Sequence, residues 1–387
     1  MKLKTKILIW SCLILLFVTS SKIFALTLDV RVYSEYKLTE FAFTAISGKY
    51  TILADDKKLT LQLYKNNPLE LKIIGNKIQI VKNKESLGLY DKISFENAGL
   101  VNAFKINTNI AKSPERIYDD ELRLSIVNGN IQLINRVDLE RYVAGVVQSE
   151  IMGSSNEIEF FKIQAIIART YTLSNIMKHS KDGYNLCDGT HCQSYLRRCN
   201  NRDIMMAVSQ TFCDVIIDKN GKLISAAFHS NSGGQTQNSE NVWAIPTTYL
   251  KSVSDTFSLN MRNSTWEKKI PKKQWVDYFK NNYKYLSNDP IKIQKLFSFQ
   301  QPKRQQFIID SIPLRIIRNH FNLKSTFFSS IEEGENIILK GKGYGHGVGL
   351  SQEGAINMVQ HGYKYEDIIK YYYKNVEVVK YTEIIKF

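Results

Sequence analysis

Residues 121–152 read ELRLSIVNGNIQLINRVDLERYVAGVVQSEIM, and the pattern changes partway along. From Glu121 to Val137, apolar and polar residues alternate on either side of Asn128-Gly129, a dipeptide suited to the left-handed backbone of a tight hairpin turn. Beyond Val137 the alternation stops, and VDLERYVAGVVQSE predicts a short helix, or a helix–strand transition, ending at Glu150. A hairpin that runs directly into a helix makes the chain α+β rather than all-β.

Upstream, Leu26 to about Ile110 is strand-like, with LDVRVY, YTILAD, LTLQLY and LELKIIGNKIQIV separated by turn residues, and it contains no cysteine or histidine. Ser113-Pro114 marks a boundary. The first 25 residues have lysines at 2, 4 and 6, an apolar run from Ile7 to about Val18, and a polar stretch ending Ile23-Phe24-Ala25. This is the layout of a signal peptide cleaved after Ala25. The run of about twelve residues is short for a bilayer span, so an uncleaved inner-membrane anchor is the alternative. Cys12 lies inside the apolar run, which argues against a lipoprotein. The bulk of the chain is expected outside the cytoplasm, in the periplasm or cell envelope.

Downstream, Ser154 and Glu157 have capping-box spacing, and Ile158, Phe161, Ala165, Ala168 and Thr172 recur at helical spacing, predicting a helix from about Asn156 to Lys178. A short helix is expected near Asp203–Val208, and a strand–turn–strand in TFCDVIIDKNGKLISAAFHS delivers His229. Residues 256–328 are polar and lysine-rich, with one amphipathic helix at KKQWVDYFKNN. ENIILKGKGYGHGVGLSQEGAINMVQHG predicts a strand, a glycine-rich turn and a helix, and YEDIIKYYYKNVEVVKY a helix then a strand. The expected division is 1–25 signal or anchor, 26–110 β-rich region, 111–375 mixed α/β domain and 376–387 tail.

The net charge of +15 favours an anionic partner: a cell-wall polymer, a membrane surface or nucleic acid. Export argues against nucleic acid. An AT-rich genome, which enriches lysine and isoleucine, explains part of the same excess.

LCDGTHCQSYLRRC, 186–199, holds three of the five cysteines and one of the six histidines. Cys187, His191 and Cys192, with His179 upstream, are zinc ligands by type, but H-x7-C-x3-H-C is not a common finger spacing. In an exported chain, a disulfide among Cys187, Cys192, Cys199 and Cys213 is an equal alternative. Glu150 follows an apolar run, where a carboxyl at a core edge suits a general acid, although an isolated glutamate is more often a surface residue. Arg169, Tyr171 and Gln193 are binding candidates, and Arg169 alternatively faces solvent on the long helix. GYGHGVGLSQ is glycine-dense, so its backbone can approach a ligand closely. The lysine, Lys342, and the hydroxyl of Ser351 are misplaced for a phosphate loop, and His346 is a better functional candidate than His320 or His361. No G-x-S-x-G is present, so no serine triad is signalled.

Five stretches then match one family in order: 127–152, 157–176, 184–195, 226–243 and 341–358. Together they resemble the SpoIID/LytB family, over about residues 110 to 375. The resemblance implies a lytic transglycosylase acting on peptidoglycan glycan strands stripped of stem peptides. Its catalytic glutamate falls on Glu150, and its histidine loops on His229 and His346. Tyr171, Gln193, Ser230, Ser351 and Gln352 are glycan-contact candidates. It also favours zinc at Cys187, His191 and Cys192, with His179 as fourth ligand, as a structural metal not needed for the chemistry; Cys199 and Cys213 are then left over to pair.

The chain departs from the family pattern at Gly153, where proline is usual, at Gly189 for threonine, and at Ser194 for an apolar residue. EFFKIQAIIARTYT replaces a commonly alanine-rich helix. The alternative function is a non-catalytic glycan-binding protein or an activator of a cell-wall amidase.

Overall fold

The computed structural model describes residues 26–55, 57–59, 68–99, 101–110, 114–151, 153–243, 245–283, 289–309 and 311–385. The N-terminal apolar segment with Cys12, most of LTLQLY, Ser113 and Met152 lie outside the described residues. Among those described, no helix is long and apolar enough to cross a membrane.

The hairpin predicted around Asn128-Gly129 pairs Glu121–Val127 with Asn130–Asp138, and both turn residues have positive φ, at 50° and 73°. The inward residues of its second strand are Ile131, Leu133, Asn135 and Val137, as its alternation requires. This hairpin is the middle of a seven-stranded sheet that also includes Thr27–Val32 and Lys92–Asn97. A second, six-stranded sheet, built from Glu40–Ser47, Leu69–Lys82, Ala103–Asn107 and neighbours, packs against it. Phe43 of the second sheet stacks on Phe95 of the first at 3.9 Å between ring centroids, and Phe104 continues the stack at 5.3 Å.

The sheets do not stop at residue 110. Thr27–Val32 pairs antiparallel with 130–138 on one side and parallel with Leu186–Cys187 on the other. One hydrophobic core therefore runs from Leu28 to Tyr381. The architecture is α+β, with a β-rich N-terminal part followed by mixed α/β structure. Within the expected C-terminal tail, Val376–Lys380 forms a strand paired with Asp214–Asp218.

Helix α1 spans Leu139–Ile151 and α2 spans Ile158–Ser174. Helix α2 is shorter than expected. Its capping box does not form: Glu157 occupies the cap position without a side-chain hydrogen bond, and its N–H instead donates to Ser155 Oγ at 3.1 Å. It ends at Asn175, whose side-chain amide donates to Tyr171 O at 2.9 Å. Most of α2 is buried, as a helix inside a core should be.

Arg169 is fully buried in that helix, not on a solvated face. Its guanidinium makes a two-pronged contact with Glu140 of α1, at 2.9 and 2.5 Å, and a bond to Asp214 O at 2.9 Å. A buried charge survives only when paired and hydrogen-bonded, and this pair locks α1, α2 and the strand 214–218 together. Helix α3, Arg202–Gln210, packs on both α1 and α2.

Residues 265–342 contribute a three-stranded sheet of Thr265–Pro271, Phe328–Glu333 and Asn336–Lys342. That sheet and the helix Lys272–Asn282 enclose a second hydrophobic cluster around Trp275, Phe279 and Leu296.

Candidate functional site

The end of α1 and the loop after α2 form one unit. Gln148, Ser149 and Glu150, consecutive at the end of α1, each accept backbone N–H groups from residues 194–201. Gln148 Oε1 takes Asn200 and Asn201 at 2.8 and 3.2 Å, Ser149 Oγ takes Leu196 at 3.1 Å, and Glu150 Oε1 takes Ser194 at 2.7 Å. Glu150 Oε2 has no protein hydrogen bond among the described residues. Tyr195 is fully buried between Tyr142 and Tyr118, with its hydroxyl donating to Asn135 Oδ1 at 3.0 Å. Gly145 permits this approach, because a Cβ there would lie 2.6 Å from the Tyr195 ring.

The same loop collects the predicted metal ligands. His179, Cys187, His191 and Cys192 offer donor atoms that all lie within 4.8 Å of one another. Cys187 Sγ is 3.8 Å from His191 Nδ1, which is 3.9 Å from Cys192 Sγ, and Cys192 Sγ is 3.6 Å from His179 Nε2. Four ligands around tetrahedral zinc are separated by roughly 3.3–3.8 Å, given metal–ligand bonds of about 2.0–2.3 Å, so the donor set fits that ion. His179 Nδ1 faces Asp182 Oδ2 at 3.2 Å, which orients Nε2 toward the cluster in the way carboxylates orient metal-bound histidines. Burial, with Cys187 beside it, pushes the Cys192 thiol up to about 11, so a cation is what would hold it as thiolate. Cys187, Cys192, Cys199 and Cys213 are all free thiols.

The N-terminal strand holds this loop through Asp188. Its carboxylate accepts from Tyr33 N at 2.7 Å, Ser34 N at 3.1 Å, Ser34 Oγ at 2.5 Å and Arg116 Nη1 at 2.8 Å. A cleft of 210 Å³ beside it is lined by Glu35, Tyr36, Arg116 and Ser194 among others. Larger clefts of 330 and 420 Å³ are both lined by Arg198 and Cys199, and Arg116 lines the second as well as the 210 Å³ cleft. Glu35 and Asp188 had no motif to announce them; Asp188 is signalled only by standing next to a candidate ligand.

Helix α2 links this unit to the glycine-rich turn. Gln193 Nε2 donates to Thr172 Oγ1 at 3.0 Å, and Gln352 Nε2 donates to Gln164 Oε1 at 3.3 Å. Gln164, Ala168 and Thr172 are spaced by four, so both contacts fall on one helix face, about 12 Å apart along the axis. Tyr171 is half-buried, which raises its hydroxyl; Lys178 Nζ lies 3.3 Å from that oxygen and also donates to His191 O.

His229 and His346 come together at ring centroids 5.6 Å apart, and Trp243 lies 5.2 Å from His346. The two-residue strand Phe228–His229 runs parallel to Leu350–Ser351 and fixes this. Gly345, at φ 109°, passes so near that a Cβ would sit 2.8 Å from that of His229. Burial, then His346 and Arg304, hold His229 well below the ordinary histidine value, and its Nε2 is buried without a partner. Burial and Arg318 push His346 down to about 4, and its Nδ1 accepts from Val348 N at 3.1 Å. Ser351 is fully buried and caps the helix Gln352–Gln360 through Gly354 N at 3.2 Å. Ser230 Oγ accepts from Asn263 at 3.3 Å. Among the described residues no hydrogen bond or ring contact joins the histidine pair to Glu150 directly; α2 is the bridge.

The departures have structural readings. Gly153 has φ 79°, which proline cannot adopt. Gly189 would place a Cβ 3.3 Å from Oε1 of the exposed Glu35, the end of a flexible side chain that can move aside. Ser194 serves Glu150 through its backbone, which any residue but proline supplies.

The profile of the stage II sporulation protein family, SpoIID, matches residues 127–217, which contain Glu150 and all four candidate ligands. The chain is 31% identical over 272 residues to stage II sporulation protein D of Bacillus amyloliquefaciens, covering 63% of this chain and 75% of that protein. Against the protein of the same name from Bacillus subtilis (strain 168), identity is 28% over 292 residues, or 69% and 82% of the two chains. The amidase enhancer of Bacillus subtilis (strain 168) is 29% identical over 294 residues, 61% of this chain but 40% of its own length. The chain belongs to the SpoIID/LytB family.

Proposed function

We propose that the protein is exported and acts in the cell envelope on peptidoglycan glycan strands stripped of their peptides, cutting them as a lytic transglycosylase with Glu150 as its acid and base. The observation that carries this reading is the asymmetry of the Glu150 carboxylate. One oxygen is fixed by Ser194 N–H, and the other has no protein partner among the described residues.

In this mechanism Glu150, protonated, donates to the glycosidic oxygen between N-acetylmuramic acid and N-acetylglucosamine. As positive charge develops at the muramyl C1, the carboxylate takes the proton of the C6 hydroxyl, which attacks C1. The products are a free N-acetylglucosamine hydroxyl and a 1,6-anhydromuramyl end, with no water consumed. Hydrolytic glycosidases normally use two carboxylates; an internal nucleophile removes the need for the second. Cys187, His191, Cys192 and His179 would hold a zinc ion whose contribution is to brace the loop. The loop's own residues set the register of Ser194 against Glu150.

Glu150→Gln is the discriminating variant, because the amide oxygen still accepts from Ser194 N–H but the side chain cannot shuttle the proton. The expected result is a folded protein that releases no anhydromuramyl products from amidase-treated peptidoglycan, measured by mass spectrometry against wild type. Release by the variant at the wild-type rate would end the catalytic assignment.

A second reading keeps glycan binding and drops the chemistry: the protein activates a cell-wall amidase. The similarity to an amidase enhancer favours it, and of the named relatives none is named for cutting glycan. Wild-type protein that binds stripped strands, releases nothing and accelerates an amidase would establish this reading in place of the first.

A further inference from the structure

The polar segment between the two halves of the family pattern brings two arginines to the glycine-rich turn. Arg304 lies directly against Gly347, where a Cβ would come within 1.9 Å of its Nη1. Its Nη2 donates to Ser232 O at 2.8 Å, and its Cζ lies over Phe327, 5.2 Å from the ring centroid. Its Nε and Nη1 are buried and unpartnered. Arg318, on the helix Leu314–His320, uses Nε to donate to Leu323 O at 3.2 Å. Its two terminal nitrogens have no protein partner among the described residues.

No carboxylate balances these charges. The arginine ion pairs among the described residues belong to Arg116, Arg123, Arg141, Arg169 and Arg198. Arg304 is instead pushed down to about 9, first by burial and then by Arg318. Arg318 reaches the turn through Leu323, since the next residue, Lys324, accepts from Gly345 N at 2.9 Å. Near the two guanidiniums are His229 and His346, both held neutral, the Tyr344 hydroxyl, and Lys342, whose Nζ lies 5.2 Å over the same Phe327 ring as Arg304. Lys324 adds further positive charge, 5.8 Å over the Tyr344 ring. Partly buried charges of one sign with no counter-charge are costly in the free protein, and an anionic ligand relieves that cost. Trp243 and Tyr344 stand 43% and 44% exposed around His346, offering aromatic faces of the kind that pack on a sugar ring.

We propose that Arg304 and Arg318 form a carboxylate site that recognises the free lactyl group of N-acetylmuramic acid. This rests on the glycan reading above. The terminal fork of Arg318 matches a carboxylate in two-pronged geometry, and Arg304 behind it supplies the second positive charge. On a strand that still carries peptides, the same carbon is a neutral amide with a chain attached. The site thus selects stripped strands by charge, and residues 256–328 have a function: they bring two guanidiniums to a turn whose own stretch, 341–358, contains no arginine.

The test is equilibrium binding of the full chain, in a Glu150→Gln background so that no strand is cut. Three ligands are compared: stripped strands, the same strands with lactyl carboxyls converted to primary amides, and chitin oligosaccharides that lack the group. The stripped strands should bind about tenfold to a hundredfold tighter than the other two, the value of one charge-assisted pair. Arg318→Gln should erase that preference, bringing stripped strands down to the affinity of the amidated ones, and Arg318→Lys should restore part of it. Equal binding of stripped and amidated strands by the parent would overturn the carboxylate site and leave the glycan reading standing. A parent that binds none of the three overturns both. Arg318→Gln with its preference intact would also overturn the site.

Discussion

Asp188→Asn tests how the N-terminal strands serve the site. The carboxylate is 4% exposed and accepts four hydrogen bonds, from Tyr33 N, Ser34 N, Ser34 Oγ and the buried Arg116. An asparagine keeps one acceptor oxygen, loses the charge, and presents an NH2 group where two donors already point. Breaking a buried ion pair from one side costs about 3–5 kcal/mol, because the remaining charge is left uncompensated. Each further orphaned N–H adds about 1–3 kcal/mol. The retained acceptor offsets part of this, so the expected loss is about 3–5 kcal/mol. At about 2 °C per kcal/mol for a large domain, Tm should fall by roughly 6–10 °C in a circular dichroism melt. Asp91→Asn is the control: its pair with Lys77 at 3.1 Å is exposed on both sides, and the change should stay within about 1 kcal/mol. If Asp188→Asn melts within about a degree of wild type, the N-terminal strand does not hold the loop and the reasoning fails.

A strong chelator should lower Tm and reductant should leave it unchanged, with about one zinc per chain in the untreated protein by elemental analysis; sensitivity to reductant alone would exclude a metal. Arg169→Met should destabilise by about 3–5 kcal/mol, since Glu140 is stranded, and Glu140→Leu in the same chain should recover much of that in urea melts; additive losses would refute the coupling. His346 is held neutral by burial, Arg318 and Arg304, with His229 beside it, so its folded value of about 4 lies below its unfolded value of about 6.5. The unfolded chain then binds the extra proton first, and the stability present above about pH 6.5 is lost as pH falls toward 4. His346→Gln should flatten that slope; an unchanged slope would show that His346 does not contribute.

Local elements were legible where one physical signal dominated. Asn128-Gly129 dictated a hairpin, and the apolar spacing after Ile158 dictated a buried helix, because backbone preference and core burial point the same way there. The metal quartet was legible by chemistry but not by geometry. Whether His179 and Cys192 meet depends on a turn between them, and their spacing carried no common pattern. Arg169 was ambiguous for a definite reason: a helical arginine is normally solvated, and only Glu140, twenty-nine residues upstream, makes burial tolerable. Glu35, Arg304 and Arg318 were illegible, and Asp188 was marked only by standing next to Cys187. Each acquires its role from partners more than fifty residues away or from the absence of a partner, and neither can be read from local sequence.

That distribution bears on what Glu150 is. Three successive side chains hold the loop, so a purely structural role for Glu150 would be a natural reading if all three were committed alike. They are not. Gln148 Oε1 takes two N–H groups, and Ser149 both accepts from Leu196 and donates to Gly145 O at 2.8 Å. Glu150 gives one oxygen to Ser194 and keeps the other without a protein partner among the described residues. An anchor needs one acceptor, and asparagine, glutamine or serine would supply it without charge. A carboxylate that spends half its capacity on the loop is held in one orientation by that half, which is what an acid–base group requires. The loop that orients it is in turn fixed by Asp188 to a strand more than 150 residues upstream. The β-rich region thereby becomes part of the site without contributing a residue to the family's own motifs.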